Sequence, residues 1–200
     1  MGSTIGGRDG AEMVVTVNEA AYVAGVSAKV VNQAIDREHI RARAIRHRRG
    51  ARGVSTSDML FLCVHQVLAP ELRRKLYQVL GGKNLGEIPR EIEMNRVVLN
   101  LEGPIREIGE RLQLLRRIHE RVETDPEVRG GEPVYRGTRT PVYAIARKVE
   151  LGSSREELRE DYPHLEEDDF DLAVRYAELN PRRGRPRNDW TSALERIEGR

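Results

Sequence analysis

Apolar residues recur at helical spacing along most of this chain, and glycine, proline and capping residues mark where each run starts and stops. Thr16 to Ala21 open a helix whose Ala20, Ala21, Val23 and Ala24 face a core. Gly25-Val26-Ser27 reads as a tight turn, with Ser27 capping a second helix. In that helix Val30, Val31, Ala34 and Ile35 point inward and Lys29, Asn32, Gln33 and Asp36 fall on the outer face. The period then changes. Ile40 to Arg46 alternates apolar with basic, as a strand with one wet face does, Arg49 to Gly53 supplies a turn, and Val54 starts a return strand. Residues 14–68 thus predict a winged helix-turn-helix, preceded by a flexible start over 1–13.

Residues 69–121 read as a connecting and dimerisation region. Ser57-Asp58 begins an apolar helix running to Leu68, Pro70 opens another that ends at Gly81-Gly82, and Met94 to Leu101 reads as a strand. Gly103-Pro104 breaks it, and Pro104 opens a long helix. Ile105, Ile108, Leu112, Leu115 and Val122 take heptad a and d spacing there, with His119 in one slot. That stripe suits a dimer seam or a core-facing helix equally well. A homodimer is expected on separate grounds, because helix-turn-helix proteins usually read two half-sites.

Residues 122–180 predict a trihelical, helix-turn-helix-like domain. Gly130-Gly131 and Gly137 are turn residues, and Thr140-Pro141 reads as an N-cap followed by proline at the first helical position. Val142, Ile145, Ala146 and Val149 line the first helix, and Gly152 closes it. Ser154 and Glu157 form a capping box for the second, stopped by Tyr162-Pro163, and Phe170, Ala173, Val174 and Ala177 form the stripe of the third. The expected fold is therefore mainly α: winged helix, connecting strand and long helix, trihelical domain, and an extended tail over 181–200.

Charge assigns different tasks to the two domains. The formal net charge of +2 hides a basic first quarter, an acidic module and a basic tail. Between Arg37 and Arg52 stand seven arginines and two histidines against one acid, Glu38. A basic hairpin directly after a capped helix-turn-helix predicts a DNA-contacting wing, against the blander reading of a solvated loop. The residues expected to contact DNA are Lys29, Asn32, Gln33, Arg37, Arg41, Arg43, Arg46, His47, Arg48, Arg49 and Arg52. Asn32 and Gln33 can pair bidentately with adenine, while Asp36 limits phosphate contact near the helix end. From Glu156 to Asp171, by contrast, nine acids face one arginine, Arg159. Such a helix start repels a phosphate backbone. It suits either a well-capped solvated helix or a surface that docks a basic partner.

Cys63 lies in an apolar run and reads as a small hydrophobe, so there is no disulfide framework. Neither a membrane-length apolar run nor a signal-peptide core is present, so a cytoplasmic location without membrane association is expected. The sequence supplies no catalytic constellation, metal spacing or cofactor motif, and no enzymatic activity is expected.

The segments Gly131-x-Pro133, Arg136-Gly137-Thr138-Arg139-x-Pro141-Val142 and Asp161-Tyr162-Pro163-His164-Leu165 resemble a small bacterial domain family associated with the antitoxins of VapBC-like toxin–antitoxin pairs. Thr140 departs from it, since the family usually carries an apolar residue there. The order helix, Gly-Val-Ser turn, helix and basic wing is similar to the MerR and excisionase-like winged helices. The first resemblance implies an antitoxin that represses its own operon at operator DNA and neutralises a PIN-like ribonuclease toxin within a larger complex. It also implies a C-terminal segment carrying arginine into the toxin's Mg²⁺-binding carboxylates, and hence toxin-binding roles for Arg182, Arg183, Arg185, Arg187 and Trp190. A rival reading comes from Arg183-Gly184-Arg185-Pro186, which resembles an AT-hook core, and a plain linker is the bland alternative for the tail. The alternative for the whole chain is a stand-alone winged-helix regulator with a C-terminal protein-interaction module.

Overall fold

A computed structural model describes residues 13–45, 52–94 and 96–182. The fold is mainly helical, and the chain forms two compact units, Met1–Glu123 and Thr124–Arg200. Residues 69–121 accordingly share a unit with the winged helix.

In the first unit β1 (Val14–Thr16) leads into α1 (Val17–Ala24) and α2 (Ala28–Asp36). Strands β2 (Arg43–Ala44) and β3 (Arg52–Ser55) follow, then α3 (Thr56–Val64) and α4 (Pro70–Leu80). The sheet order is β1-β3-β2, antiparallel throughout, with Val15 opposite Val54 and Arg43 opposite Gly53. A helix-turn-helix followed by such a sheet is winged-helix architecture.

The strand expected over Ile40 to Arg46 is shorter within the described residues. Ile40 is buried, but Arg41 to Ala44 are all exposed and only Arg43–Ala44 pair. The alternation has no core face to sit on, so it yields a short paired segment. The return strand begins at Arg52 instead of Val54, and β1 completes a sheet that the helical reading of Thr16 onward overlooked. Helix α3 begins one residue earlier than expected, at Thr56 behind the Ser55 cap, and tightens into a 3-10 turn over His65–Val67.

The expected strand from Met94 to Leu101 is instead a hairpin of β4 (Glu91–Met94) and β5 (Val97–Asn100), reversing between Met94 and Val97. Ile92 and Met94 point into the core and Glu91 and Glu93 out, the strand period that two glutamates disguise. Helix α5 (Glu102–Arg121) then buries Ile105, Ile108, Leu112, Leu115 and Ile118 against α1 and α3. This settles the stripe as core-facing. It cannot serve as a dimer seam while it holds its own unit together. Strand β6 (Val122–Glu123) ends the unit.

In the second unit β7 (Val134–Tyr135) precedes α6 (Val142–Glu150), α7 (Arg155–Asp161) and α8 (Glu167–Leu179), the expected trihelical arrangement. Helices α6 and α8 pack face to face. Val142, Ile145 and Ala146 from α6 meet Phe170, Leu172, Ala173, Tyr176 and Leu179 from α8 in its core. The α8 stripe is rotated from the one expected, because Val174 and Ala177 are only half-buried and the larger Leu172, Tyr176 and Leu179 take the inner face. The Ser154–Glu157 capping box is present, and Glu166 with Asp169 forms another at the start of α8. At α6 the cap position is Pro141, without a side-chain cap, and Thr140 is released for another contact.

Candidate nucleic-acid interface

The outer face of α2 is set by its two ends. Gly25 takes the left-handed region at φ 67°, which ends α1 without strain, and Ser27 accepts the Val30 N–H to start α2. Lys29, Gln33, Asp36 and Arg37 are then exposed on one surface. Asn32, expected to read a base, instead donates its side-chain N–H to the Ala28 carbonyl at 3.0 Å and is half-buried. Val30 and Ile35 are half-buried, whereas Val31 and Ala34 carry the packing.

Beside this face lies the base of the wing. Arg41 and Arg43 are exposed, and Arg52 pairs with Asp36 at 2.6 Å. The acid expected to repel phosphate thus ties the wing strand to the end of α2. Arg46, His47, Arg48 and Arg49, the expected wing tip, lie outside the described residues. Gly53 has no room for a side chain: a Cβ there would sit 2.5 Å from Val14 Cγ1 and 2.8 Å from the Arg43 carbonyl oxygen. Lys29, Arg37, Arg41, Arg73 and Arg74 have no carboxylate partner among the described residues.

Two buried acids hold this surface in place, and the sequence reading missed both. Glu19 closes the α1 capping box, accepting from the Thr16 backbone N–H and hydroxyl at 2.8 Å each, and its other oxygen meets His119 Nε2 of α5 at 2.8 Å. Burial opposes its ionisation. The hydrogen bonds from His119 and Thr16 outweigh that, and its pKa falls from 4.5 to about 2. Thr16-x-x-Glu19 was a readable signal; the partner a hundred positions away was not. Asp58 accepts from Ser55 Oγ at 2.6 Å beneath the sheet, and burial pushes its pKa up although Ser55 and Tyr77 bond to it.

In the second unit, Tyr135 donates its hydroxyl to the Asp169 carbonyl at 2.6 Å in the core. Thr140, at the position that departs from the family pattern, meets His164 Nε2 through its hydroxyl at 2.8 Å and so joins the two halves of the signature. The acids are largely answered from within. Arg155 contacts Asp171 at 2.9 Å and Glu167 at 3.8 Å, Lys148 reaches Asp161 at 2.5 Å, and Arg159 reaches Glu156 at 3.1 Å. Arg182, the first of the expected toxin-binding residues, lies 4.4 Å over the Tyr143 ring and pairs with Glu132, while the Tyr143 hydroxyl donates to the Asn180 carbonyl at 2.5 Å. Arg183, Arg185, Arg187 and Trp190 lie outside the described residues.

Residues 122–177 match the family described as "Protein of unknown function (DUF433)". Over 195 residues the chain is 34% identical to the "Uncharacterized protein y4eO" of Sinorhizobium fredii (strain NBRC 101917 / NGR234), covering 88% of this chain and 86% of that protein. Two solved structures are similar at low TM-score. One is a DUF433 member protein from Anabaena variabilis ATCC 29413, with 25% identity, 46% of this chain and 82% of that one covered, and a TM-score of 0.30. The other is Rv2018 from Mycobacterium tuberculosis, with 15% identity, 80% and 96% covered, and a TM-score of 0.37. By its match to y4eO along nearly its whole length, the chain belongs to that protein's family, with a DUF433 region at its C-terminal side.

Proposed function

We propose that this protein is a DNA-binding antitoxin, with the winged helix reading operator DNA and the second unit with its tail neutralising a PIN-like ribonuclease. The observation that carries the DNA half is the α2 face and wing base, where Lys29, Gln33, Arg37, Arg41 and Arg43 are exposed together. Of these cations Lys29, Arg37 and Arg41 have no carboxylate partner among the described residues, which favours an external polyanion and the release of its counterions. The toxin half rests on the signature resemblance and on a unit whose own acids are paired away from DNA-binding use. In this reading the protein acts in the cytoplasm, as a homodimer within a larger toxin–antitoxin complex, and has no catalytic role.

The direct test is co-expression with the adjacent reading frame, followed by a pull-down. A small nuclease should co-purify, and its activity should return when residues 181–200 are deleted while operator binding persists. Inhibition surviving that deletion defeats the tail mechanism. Charge reversal at Arg46, Arg48 and Arg49 should abolish operator retention in gel-shift assays, and normal binding defeats the wing assignment. One observation favours the alternative of a stand-alone regulator: Arg182 is engaged by Glu132 and Tyr143 within its own unit. Absence of any co-purifying nuclease would select that alternative.

A further inference from the structure

A cavity of about 360 Å³ opens in the first unit between the end of α2, α3 and α4, lined by His39, Phe61, Pro70, Arg73, Arg74 and Tyr77. Through His39 and Arg73 it adjoins a smaller cleft of about 140 Å³ that reaches Gln33, Arg37 and His65. Its floor is aromatic: Phe61 is buried, with the Tyr77 ring edge-on at 5.3 Å and the His65 ring stacked at 5.3 Å. Arg73 is fixed by its Nε, which donates to the Leu68 carbonyl at 2.8 Å, so its two terminal nitrogens remain for a ligand. Arg37, Arg73 and Arg74 have no carboxylate partner among the described residues, and the one acid of the lining is Glu38.

Apolar lining beside two guanidinium groups without carboxylate partners among the described residues selects a particular chemistry. An aromatic body would pack on Pro70 and the half-buried Tyr77 ring, and a planar carboxylate would match the fork of Arg73. The volume falls within the usual range for small-molecule sites. We propose that this cavity binds a small aromatic carboxylate. Because Gln33 and Arg37 line the adjoining cleft, the occupied site lies against the α2 face, and any effect on operator binding rests on the DNA reading above.

Calorimetric titration of the full-length protein without DNA tests the site independently of that reading. Cinnamate should bind saturably, with cinnamyl alcohol and inorganic phosphate each at least about tenfold weaker, because one lacks the charge and the other the ring. R73Q and R74Q should each weaken cinnamate about tenfold. Arg74 is exposed, so R74Q should leave the circular-dichroism melt unchanged and keeps the test valid if R73Q folds poorly. Absence of saturable cinnamate binding, equal binding of phosphate or of the alcohol, or wild-type affinity in R74Q would each overturn the proposal.

Discussion

The two units carry similar side chains and use their charges in opposite ways. In the second, arginine and lysine turn inward on neighbouring acids: Arg155 on Asp171, Lys148 on Asp161, Arg159 on Glu156, Arg175 on Glu178. In the first, Lys29, Arg37, Arg41, Arg73 and Arg74 stand around α2 without a carboxylate partner among the described residues, while two acids, Glu19 and Asp58, are buried. Net charge does not reveal this difference. A surface whose acids and bases pair with each other offers little net field, whereas the α2 face, with several cations unmatched by carboxylates among the described residues, presents a field that favours an external anion.

The comparison breaks most easily at the wing. G53V would drive a branched side chain into Val14 and the Arg43 carbonyl, and neither strand can retreat without unpairing from β3. We expect a loss of about 3 kcal/mol or more in the first unit, read by chemical denaturation, together with loss of DNA retention. The thermal transition of the second unit should not move. A variant that melts and binds like wild type would show that the β1-β3-β2 sheet does not support the interface.

Glu19 gives the next largest effect. Its folded pKa lies below its unfolded value, so its contribution is fully present above 4.5 and is lost as pH falls toward 2. A fall from 4.5 to about 2 corresponds to roughly 3 kcal/mol at most. Asp58 runs the other way. Its folded pKa is raised above 3.8, so across its window stability falls as pH rises, which blunts the acid transition of the wild type. E19Q should therefore flatten the acid-side loss of stability in urea titrations, and an unchanged slope would remove Glu19 from the account.

Much of this organisation was legible in the sequence because it is local. Gly25, Ser27, Pro70 and the Ser154–Glu157 box each act within one turn of a helix, and the structure has them in those roles. What eluded the sequence depends on distance. Periodicity placed the α5 stripe on one face, but only its contacts with α1 and α3 tell a core from a dimer seam. His119 meets Glu19 across a separation of 100 residues, and Asn32 turns back to its own helix instead of toward solvent. The second strand of the β4–β5 hairpin was legible in the sequence but β4 was missed, because Glu91 and Glu93 on its outward face mask the apolar alternation of Ile92 and Met94. The basic cavity required α2, α3 and α4 to meet, which no local pattern announces.

The smallest effect sharpens the contrast most. Arg155 in the second unit is exposed, and its bonds to Asp171 raise its pKa by favouring the charged form. Exposed pairs contribute little, because water and salt screen them and ordering two long side chains opposes the gain. R155Q should leave the second unit's denaturation midpoint nearly unchanged, with any deficit shrinking further in molar salt. R41Q in the first unit should cost no stability, since it breaks no ion pair among the described residues, yet should weaken operator binding and lower its salt dependence by about one ion. If R155Q destabilised strongly while R41Q left DNA binding intact, the division between a self-paired unit and an anion-seeking one would fail, since charge would then be structural where it is paired and idle where it is not.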